Sequence, residues 1–223
     1  MWGIDAMKRR SFLHVAGGVA GASVLGSGLR AAEGEKKSPE GMPRRVLGKT
    51  GLEISTVIFP GLALVHAEQE EGAKAMHRAL EQGVNYFDVA PAYGNGDAEI
   101  KMGIGLQDVP RDKYYLACKT KMRDKDGARQ ELERSLKRLK TDHFDVYQLH
   151  CLRSRDEVKQ ALGPGGAMET ILEAKKEGKI RFIGFSAHTW YAAVEAIEAF
   201  DFDTVMFPIN FVEMLTWGFG KQV

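Results

Sequence analysis

Hydrophobic segments alternate regularly with amphipathic segments from residue 43 onward. Six short runs carry apolar residues on both faces of a predicted strand, which is typical of strands that are buried on both faces. These runs cover 56–64, 85–90, 113–121, 143–152, 180–188 and 202–211. Apolar residues recur every three or four positions between them, which predicts helices over 70–83, 97–107, 127–141, 165–179 and 190–200. The alternation predicts a parallel β-sheet covered by helices.

Two architectures can hold such a sheet, an open doubly wound sheet or a (β/α) barrel. An open dinucleotide-binding sheet requires a Gly-x-Gly-x-x-Gly turn after its first strand. The first strand ends instead in FPGLAL, and no other predicted strand is followed by that turn. In a barrel, active residues come from the carboxyl ends of several strands. Asp88, Lys119, His150 and Ser186 occupy that position on four successive strands, which favours an α/β fold of the (β/α)8 TIM-barrel type.

The predicted units are fewer than a complete barrel requires. Eight units take about 250 residues, whereas this 223-residue chain reaches only the start of a seventh unit. Its last residues, 213–223, have the pattern of a helix that has just begun. A further segment at 44–55 predicts a β-hairpin ahead of the first strand. We therefore expect residues 43–223 to form an incomplete barrel of about six βα units with an N-terminal hairpin.

The first 32 residues have the layout of a secretory signal. A basic start with Arg9 and Arg10 precedes a mildly apolar, Gly/Ala-rich stretch at 15–29 and then two alanines. That stretch is too short and too rich in glycine to span a membrane, and the arginine pair followed by Ser-Phe-Leu resembles the twin-arginine export signal. We predict a signal peptide at 1–32 and a linker at 33–42, with export by the twin-arginine machinery to the periplasm and no membrane span after signal removal. A basic, disordered tail is the alternative.

Composition and charge narrow the classes of partner. Hydrophobic residues make up 44% of the chain and charged residues 27%, which is ordinary for a soluble globular protein. The formal net charge of +1 gives no basis for binding nucleic acid. Two cysteines, Cys118 and Cys151, make neither a disulfide framework nor a four-ligand zinc site. Both neighbour rim residues and are expected to point the opposite way, toward the helices. We predict no nucleic-acid partner and no metal.

The predicted rim combines a phenol, an ammonium group, a carboxylate and an imidazole. A free phenol has a pKa of about 10, and a nearby lysine lowers that pKa by stabilising the phenolate. Lys119 could serve Tyr93 in this way, and Asp88 could keep the buried ammonium charged. Lys121 has the same strand phase and is the alternative, although Lys119 is favoured. His150 could donate a hydrogen bond to a carbonyl oxygen, so the set fits hydride addition to a carbonyl group.

The segments YFDVAPAYG, YLACKTK, FDVYQLH and GKIRFIGFSAH look like successive signatures of the aldo-keto reductase family, and the resemblance extends over about residues 44–211. It implies that Tyr93 is the general acid, that Lys119 and Asp88 tune it, and that His150 positions the carbonyl of a small aldehyde or ketone. It also implies a nicotinamide as the hydride source across the barrel mouth. This is NADPH in most members, and NADH is not excluded.

The sequence departs from the family pattern where the nicotinamide is held. The fifth strand usually ends in Ser-Asn, but here it ends in Ser186-Ala187, so the resemblance carries over only the serine. Met206 stands where a glutamine usually contacts the cofactor, and Asn210 follows Pro208 much as in the family. The resemblance therefore places Ser186, Met206 and Asn210 at the cofactor. The units that bind its phosphates in the family are not in this sequence, which leaves the choice between NADP and NAD open.

Two other functions compete with a reductase. A non-catalytic binding protein could retain the barrel, and the altered nicotinamide contacts favour it. A metal-dependent hydrolase could use Asp88, His150 and His188, but the sequence has no His-x-His pair on its first strand. The substrate is not specified by these residues. The segment 151–167 after the fourth strand is expected to line one wall of the site.

Overall fold

The computed structural model describes residues 41–216 and residue 223. The predicted signal peptide and most of the predicted linker lie outside the described residues. The described part opens with an antiparallel hairpin of β1 (Arg44–Val46) and β2 (Glu53–Ser55), in which Arg44 pairs with Ser55. Gly51 has a φ of 71° before β2, a left-handed conformation that glycine adopts readily. The predicted hairpin is therefore confirmed.

A six-stranded parallel sheet forms the body of the described chain. Its strands are β3 (Phe59–Pro60), β4 (Tyr86–Asp88), β5 (Tyr115–Thr120), β6 (Phe144–Leu152), β7 (Ile180–Ala187) and β8 (Thr204–Met206). Their order across the sheet is their order along the chain. A doubly wound sheet reverses this order at a switch point, whereas a barrel does not. The prediction of six βα units of a (β/α)8 barrel is confirmed.

Helices follow every strand of this sheet, and those before β8 connect each strand to the next, as parallel pairing requires. They are α1 (Gln69–Glu81), α2 (Asp97–Gly105), α3 (Lys125–Leu139), α4 (Arg155–Leu162), α5 (Ala167–Lys176), α6 (Trp190–Ala199) and α7 (Phe211–Thr216). Helix α4 was not predicted, since its segment was interpreted only as a wall of the site. Its first turn is capped by Ser154, whose Oγ accepts a hydrogen bond from the Glu157 amide at 3.1 Å. Within the described ranges, no helix is both long and apolar enough to cross a membrane.

The first predicted strand is much shorter than expected. Only Phe59 and Pro60 pair with β4, and a 3-10 helix then runs over Gly61–His66. Proline has no amide hydrogen for a strand ladder. Gly61 passes so close to β4 that an added Cβ would lie 2.6 Å from the Asp88 carbonyl oxygen. The predicted last strand is also too long, since β8 ends at Met206.

The two faces of the sheet bury different residues. Large apolar side chains such as Phe87, Leu132 and Phe185 fill the space between the sheet and the helices. On the opposite face, Leu52 of the hairpin packs with Tyr86 and with apolar residues of β5 and β6. The hairpin therefore covers the amino ends of the strands. Because side chains alternate between faces along a strand, the polar residues near the carboxyl ends share the opposite rim of this inner face.

Candidate active site

Asp88 and Lys119 form a buried ion pair at the carboxyl ends of neighbouring strands. Lys119 Nζ donates to Asp88 Oδ1 and also to the Val89 carbonyl oxygen, at 3.2 Å. The two side chains are only 1% and 9% exposed, for the lysine and the aspartate. Lys121 is exposed, so the structure selects Lys119 as the inward lysine. Burial raises the pKa of Asp88, and the Lys119 ammonium opposes that rise.

Tyr93 is presented to this pair by a tight turn after β4. The Tyr93 amide donates to the Ala90 carbonyl oxygen at 3.0 Å, and a 3-10 turn continues over Tyr93–Gly96. Gly94 and Gly96 have φ angles of 59° and 95°, so the turn depends on glycine at these positions. Lys119 Nζ lies 5.3 Å from the centroid of the Tyr93 ring. The turn thus places the phenol beside the ammonium group.

His150 completes the cluster from β6. Its ring meets the Tyr93 ring edge to face, with centroids 5.7 Å apart and an interplanar angle of 85°. Burial, and then the positive charges of Lys119, Lys121 and Arg123, lower the pKa of His150 to about 3. The imidazole is therefore neutral at neutral pH and carries one N–H donor. Its Nδ1 is buried without a hydrogen-bond partner in the part of the chain that the structure describes.

Opposing influences act on the Tyr93 phenol. The sequence predicts that a lysine lowers its pKa, and Lys119 does act in that direction. Burial acts against it more strongly and Asp88 adds to the rise, so the net effect raises the pKa of Tyr93. The phenol is therefore protonated at neutral pH. The Lys119 charge remains close enough to stabilise a phenolate once the proton has left.

Ser186 and Met206 lie together on the same rim, whereas Asn210 has another contact. Ser186 pairs with Met206 in the register of β7 and β8, and Ser186 Oγ accepts a hydrogen bond from the Cys151 amide at 2.8 Å. Asn210 is exposed, and its Oδ1 accepts from the Val212 amide at 3.0 Å at the start of α7. The cofactor roles of Ser186, Met206 and Asn210 stay predictions.

A local irregularity at the end of β6 displaces Cys151. The register of β6 and β7 shifts between Leu149 and Leu152, and Cys151 has a φ of 61°. Its Sγ accepts a hydrogen bond from Arg153 Nε at 3.3 Å, and the residue lines a cavity at the rim. The prediction that Cys151 points toward the helices is therefore wrong. Cys118 does face the helices, where its thiol donates to Glu99 Oε1 at 3.6 Å.

This cavity of about 370 Å³ adjoins the cluster on the side of β6. Its lining includes Lys121, Arg123, His150, Cys151, Arg153 and Glu157. Arg123 Nη2 donates to the His150 carbonyl oxygen at 2.7 Å and to Glu157 Oε2 at 3.1 Å. Arg123 is not among the site residues that the sequence predicts. Its position in the loop directly after the strand that carries Lys119 is the signal that could have identified it.

A metal site at the same rim would require three converging ligand side chains. Across residues 41–216, no group of three or more His, Cys, Asp or Glu side chains is placed to hold a metal ion. The arrangement that a metal-dependent hydrolase requires is therefore not found in that range.

Comparison with known proteins identifies the family. The model of the aldo/keto reductase family matches residues 61–216. The oxidoreductase YqkF of Bacillus subtilis is 32% identical over 158 residues, which are 66% of this chain and 49% of that protein. The holo form of aldo-keto reductase AKR11C1 from Bacillus halodurans covers 75% of this chain and 58% of its own, with 27% identity and a TM-score of 0.66.

A further solved structure shares the fold at lower identity. It is an aldo-keto reductase from Klebsiella pneumoniae in complex with NADPH, which has 22% identity and a TM-score of 0.61 over 72% of this chain and 55% of its own. The present chain spans about half the length of the curated relatives it matches. Because the family model matches well over half of the 223 residues, this protein belongs to the aldo/keto reductase family.

Proposed function

We propose that this protein reduces the carbonyl group of an aldehyde or ketone, with a nicotinamide cofactor as the hydride source. The observation that carries the proposal is the convergence of Tyr93, Lys119, Asp88 and His150 at one rim of the sheet. One polar residue at a strand end commonly caps a helix or forms a turn. Here four ionisable groups from three strands and one turn lie together, and family membership supports the same reading.

Each side chain has a role that follows from its protonation state. The neutral His150 imidazole donates a hydrogen bond to the substrate carbonyl oxygen and so holds the carbonyl next to Tyr93. The Tyr93 hydroxyl gives its proton to that oxygen as negative charge develops on it. Lys119 stabilises the phenolate that results. Asp88 supplies the counter-charge to the buried ammonium, since an unpaired buried charge is costly.

The rim fits a nicotinamide in part. Ser186 Oγ accepts a hydrogen bond from the Cys151 amide, which leaves its own hydrogen free to donate to a carboxamide oxygen. Ala187 and Met206 offer no strong hydrogen-bonding group for the same carboxamide. When bound, the nicotinamide would supply the hydride to the carbonyl carbon. NADPH is the proposed form, supported by the related structure in complex with it, and direct titration with NADH tests the alternative.

The proposal is tested by following oxidation of the reduced nicotinamide in the presence of a panel of aldehydes and ketones. We expect Tyr93→Phe to lower kcat by roughly 10²–10⁴-fold, the range for loss of a general acid, while cofactor affinity stays the same. Tyr191→Phe removes a hydroxyl from a tyrosine outside the cluster and is the matched control. Unchanged turnover in Tyr93→Phe would show that the assigned mechanism is wrong.

A non-catalytic binding protein is the second candidate, favoured by the loss of two nicotinamide contacts at Ala187 and Met206. It predicts that carbonyl compounds bind without any oxidation of the nicotinamide. Calorimetry in parallel with the turnover assay separates the two functions, because a binding protein gives heats of binding and no product.

Export by the twin-arginine machinery is also proposed, on the basis of Arg9 and Arg10 in the sequence. Replacement of both arginines by lysine is expected to retain the protein in the cytoplasmic fraction. Equal fractionation of the variant and the native protein would exclude this route.

A further inference from the structure

The cavity beside His150 carries an excess of positive charge. Three of its lining residues are the cations Lys121, Arg123 and Arg153, and one is the carboxylate Glu157. Arg123 and Glu157 form an ion pair at 3.1 Å and offset each other. Among the residues that the structure describes, no carboxylate lies within ion-pair distance of Lys121 or Arg153. Within the described part of the chain, Lys121 and Arg153 therefore line a cavity of about 370 Å³ without forming an ion pair.

The backbone of Lys121 is fixed by a buried side chain of α3. Glu131 Oε2 accepts hydrogen bonds from the Lys121 amide at 3.0 Å and from Thr120 Oγ1 at 2.6 Å. Glu131 is itself buried in α3. Lys121 therefore lines the cavity from a fixed backbone position, and its exposed side chain is available to a ligand.

The charges of this cavity reach the proposed catalytic group. His150 lines the same cavity, and Lys121 and Arg123 are among the cations that disfavour a charged imidazole there. A molecule bound against Lys121 is therefore within reach of the His150 ring. An anion in the cavity would be attracted by Lys121 and Arg153, while a carbonyl group on the same molecule could reach His150 and Tyr93.

We propose that this cavity binds the carboxylate of the substrate, and that the preferred substrates are aldehydes or ketones that carry a carboxylate group. This inference rests on the proposed reductase function and adds the substrate class to it. Lys121 and Arg153 bind the carboxylate, and Arg123 is a positioning residue because it fixes the backbone of His150. The cofactor's phosphate is the competing source of an anion, and the test separates it from the substrate carboxylate.

The experiment compares 4-carboxybenzaldehyde with its methyl ester, which has the same aldehyde and no charge, on the full chain. We expect the native protein to prefer the acid. Lys121→Gln should raise KM for the acid about tenfold, equivalent to about 1.4 kcal/mol, and change KM for the ester far less. Arg153→Gln should act in the same direction. Lys113→Gln, in the turn before β5 and remote from this cavity, is the matched control.

Other outcomes overturn the proposal without removing the reductase function. Equal losses on acid and ester in Lys121→Gln would show a general defect. A weaker nicotinamide affinity in Lys121→Gln, with the preference for the acid unchanged, would assign the cavity to the cofactor. If neither aldehyde is reduced, calorimetric titration with benzoate tests the cavity independently of turnover. Benzoate binding that is lost in Lys121→Gln supports the cavity's role, and absence of binding to the native protein refutes it.

Discussion

Replacing Asp88 by asparagine removes the carboxylate that faces the Lys119 ammonium and leaves the rest of the site in place. Asparagine has nearly the same shape as aspartate, so the change tests charge rather than packing. The Lys119 side chain is only 1% exposed, so water cannot solvate its ammonium group in place of the carboxylate. The Val89 carbonyl oxygen, at 3.2 Å, still accepts a hydrogen bond from Lys119 Nζ. The substitution therefore leaves an unpaired positive charge in the interior of the sheet.

The expected cost follows from the burial of the pair. Removal of one member of a buried ion pair costs about 3–5 kcal/mol, because the other charge is left uncompensated. The contact with the Val89 carbonyl places Asp88→Asn at the lower end, at about 3 kcal/mol. Lys119→Met leaves the carboxylate unpaired instead and should lower the free energy of unfolding by a similar amount. The double variant removes both charges. Its loss of stability should therefore be about 2–3 kcal/mol smaller than the sum of the losses in the two single variants.

Urea unfolding of the four proteins at neutral pH measures these free energies. The matched control is Glu70→Gln, which breaks a helix-surface pair with Lys74 at 2.6 Å in which both side chains are more than 70% exposed. An exposed pair of this kind is worth less than about 1 kcal/mol. Additive losses for Asp88→Asn and Lys119→Met, within about 0.5 kcal/mol, would refute the reasoning, because they would show that the two charges are not coupled.

Two further predictions concern His150 and the packing of β7 on β8. Between its ordinary pKa of 6.5 and about 3, the unfolded chain binds a proton at His150 that the native protein does not. Stability should therefore fall as the pH falls, by about 2–3 kcal/mol at pH ~4.5, and urea unfolding of His150→Asn should lack this part of the decline. In β7, a Cβ at position 184 would meet Thr204 Oγ1 and lie 2.9 Å from the Thr204 carbonyl oxygen. Gly184→Ala should cost roughly 1–3 kcal/mol in thermal unfolding, and Thr204→Ala in the same chain should recover only part, because the backbone oxygen stays.

The alternation of strands and helices could be predicted because it depends on periodicity, which every residue of an element repeats. The ends of the strands and helices could not be predicted, because they depend on single contacts. Pro60 and Gly61 lie inside a run that is apolar throughout, yet the strand stops there because β4 passes too closely for a regular strand to continue. Helix α4 was missed for a similar reason, since it is short and lies in a segment rich in charged residues.

The site residues could be predicted where the alternation of side chains along a strand alone determines the side of the sheet to which each one points. The two-residue repeat places Asp88 and Lys119 on one face of neighbouring strands, and their contact follows. Lys121 has the same phase, and only the burial of each side chain in the folded sheet distinguishes it from Lys119. The alternation of side chains does not hold at Cys151. There a backbone irregularity with no signal in the sequence turns the thiol to the rim.

The protonation states at the rim favour one direction of chemistry. The raised pKa of Tyr93 and the lowered pKa of His150 leave a phenol O–H and an imidazole N–H as hydrogen-bond donors at neutral pH. A carbonyl oxygen accepts from both, whereas an alcohol would have to lose its own proton to a group that already holds one. Lys119 supplies the charge that a phenolate needs only after proton transfer. This environment suits an oxygen that gains negative charge, as the proposed carbonyl reduction requires.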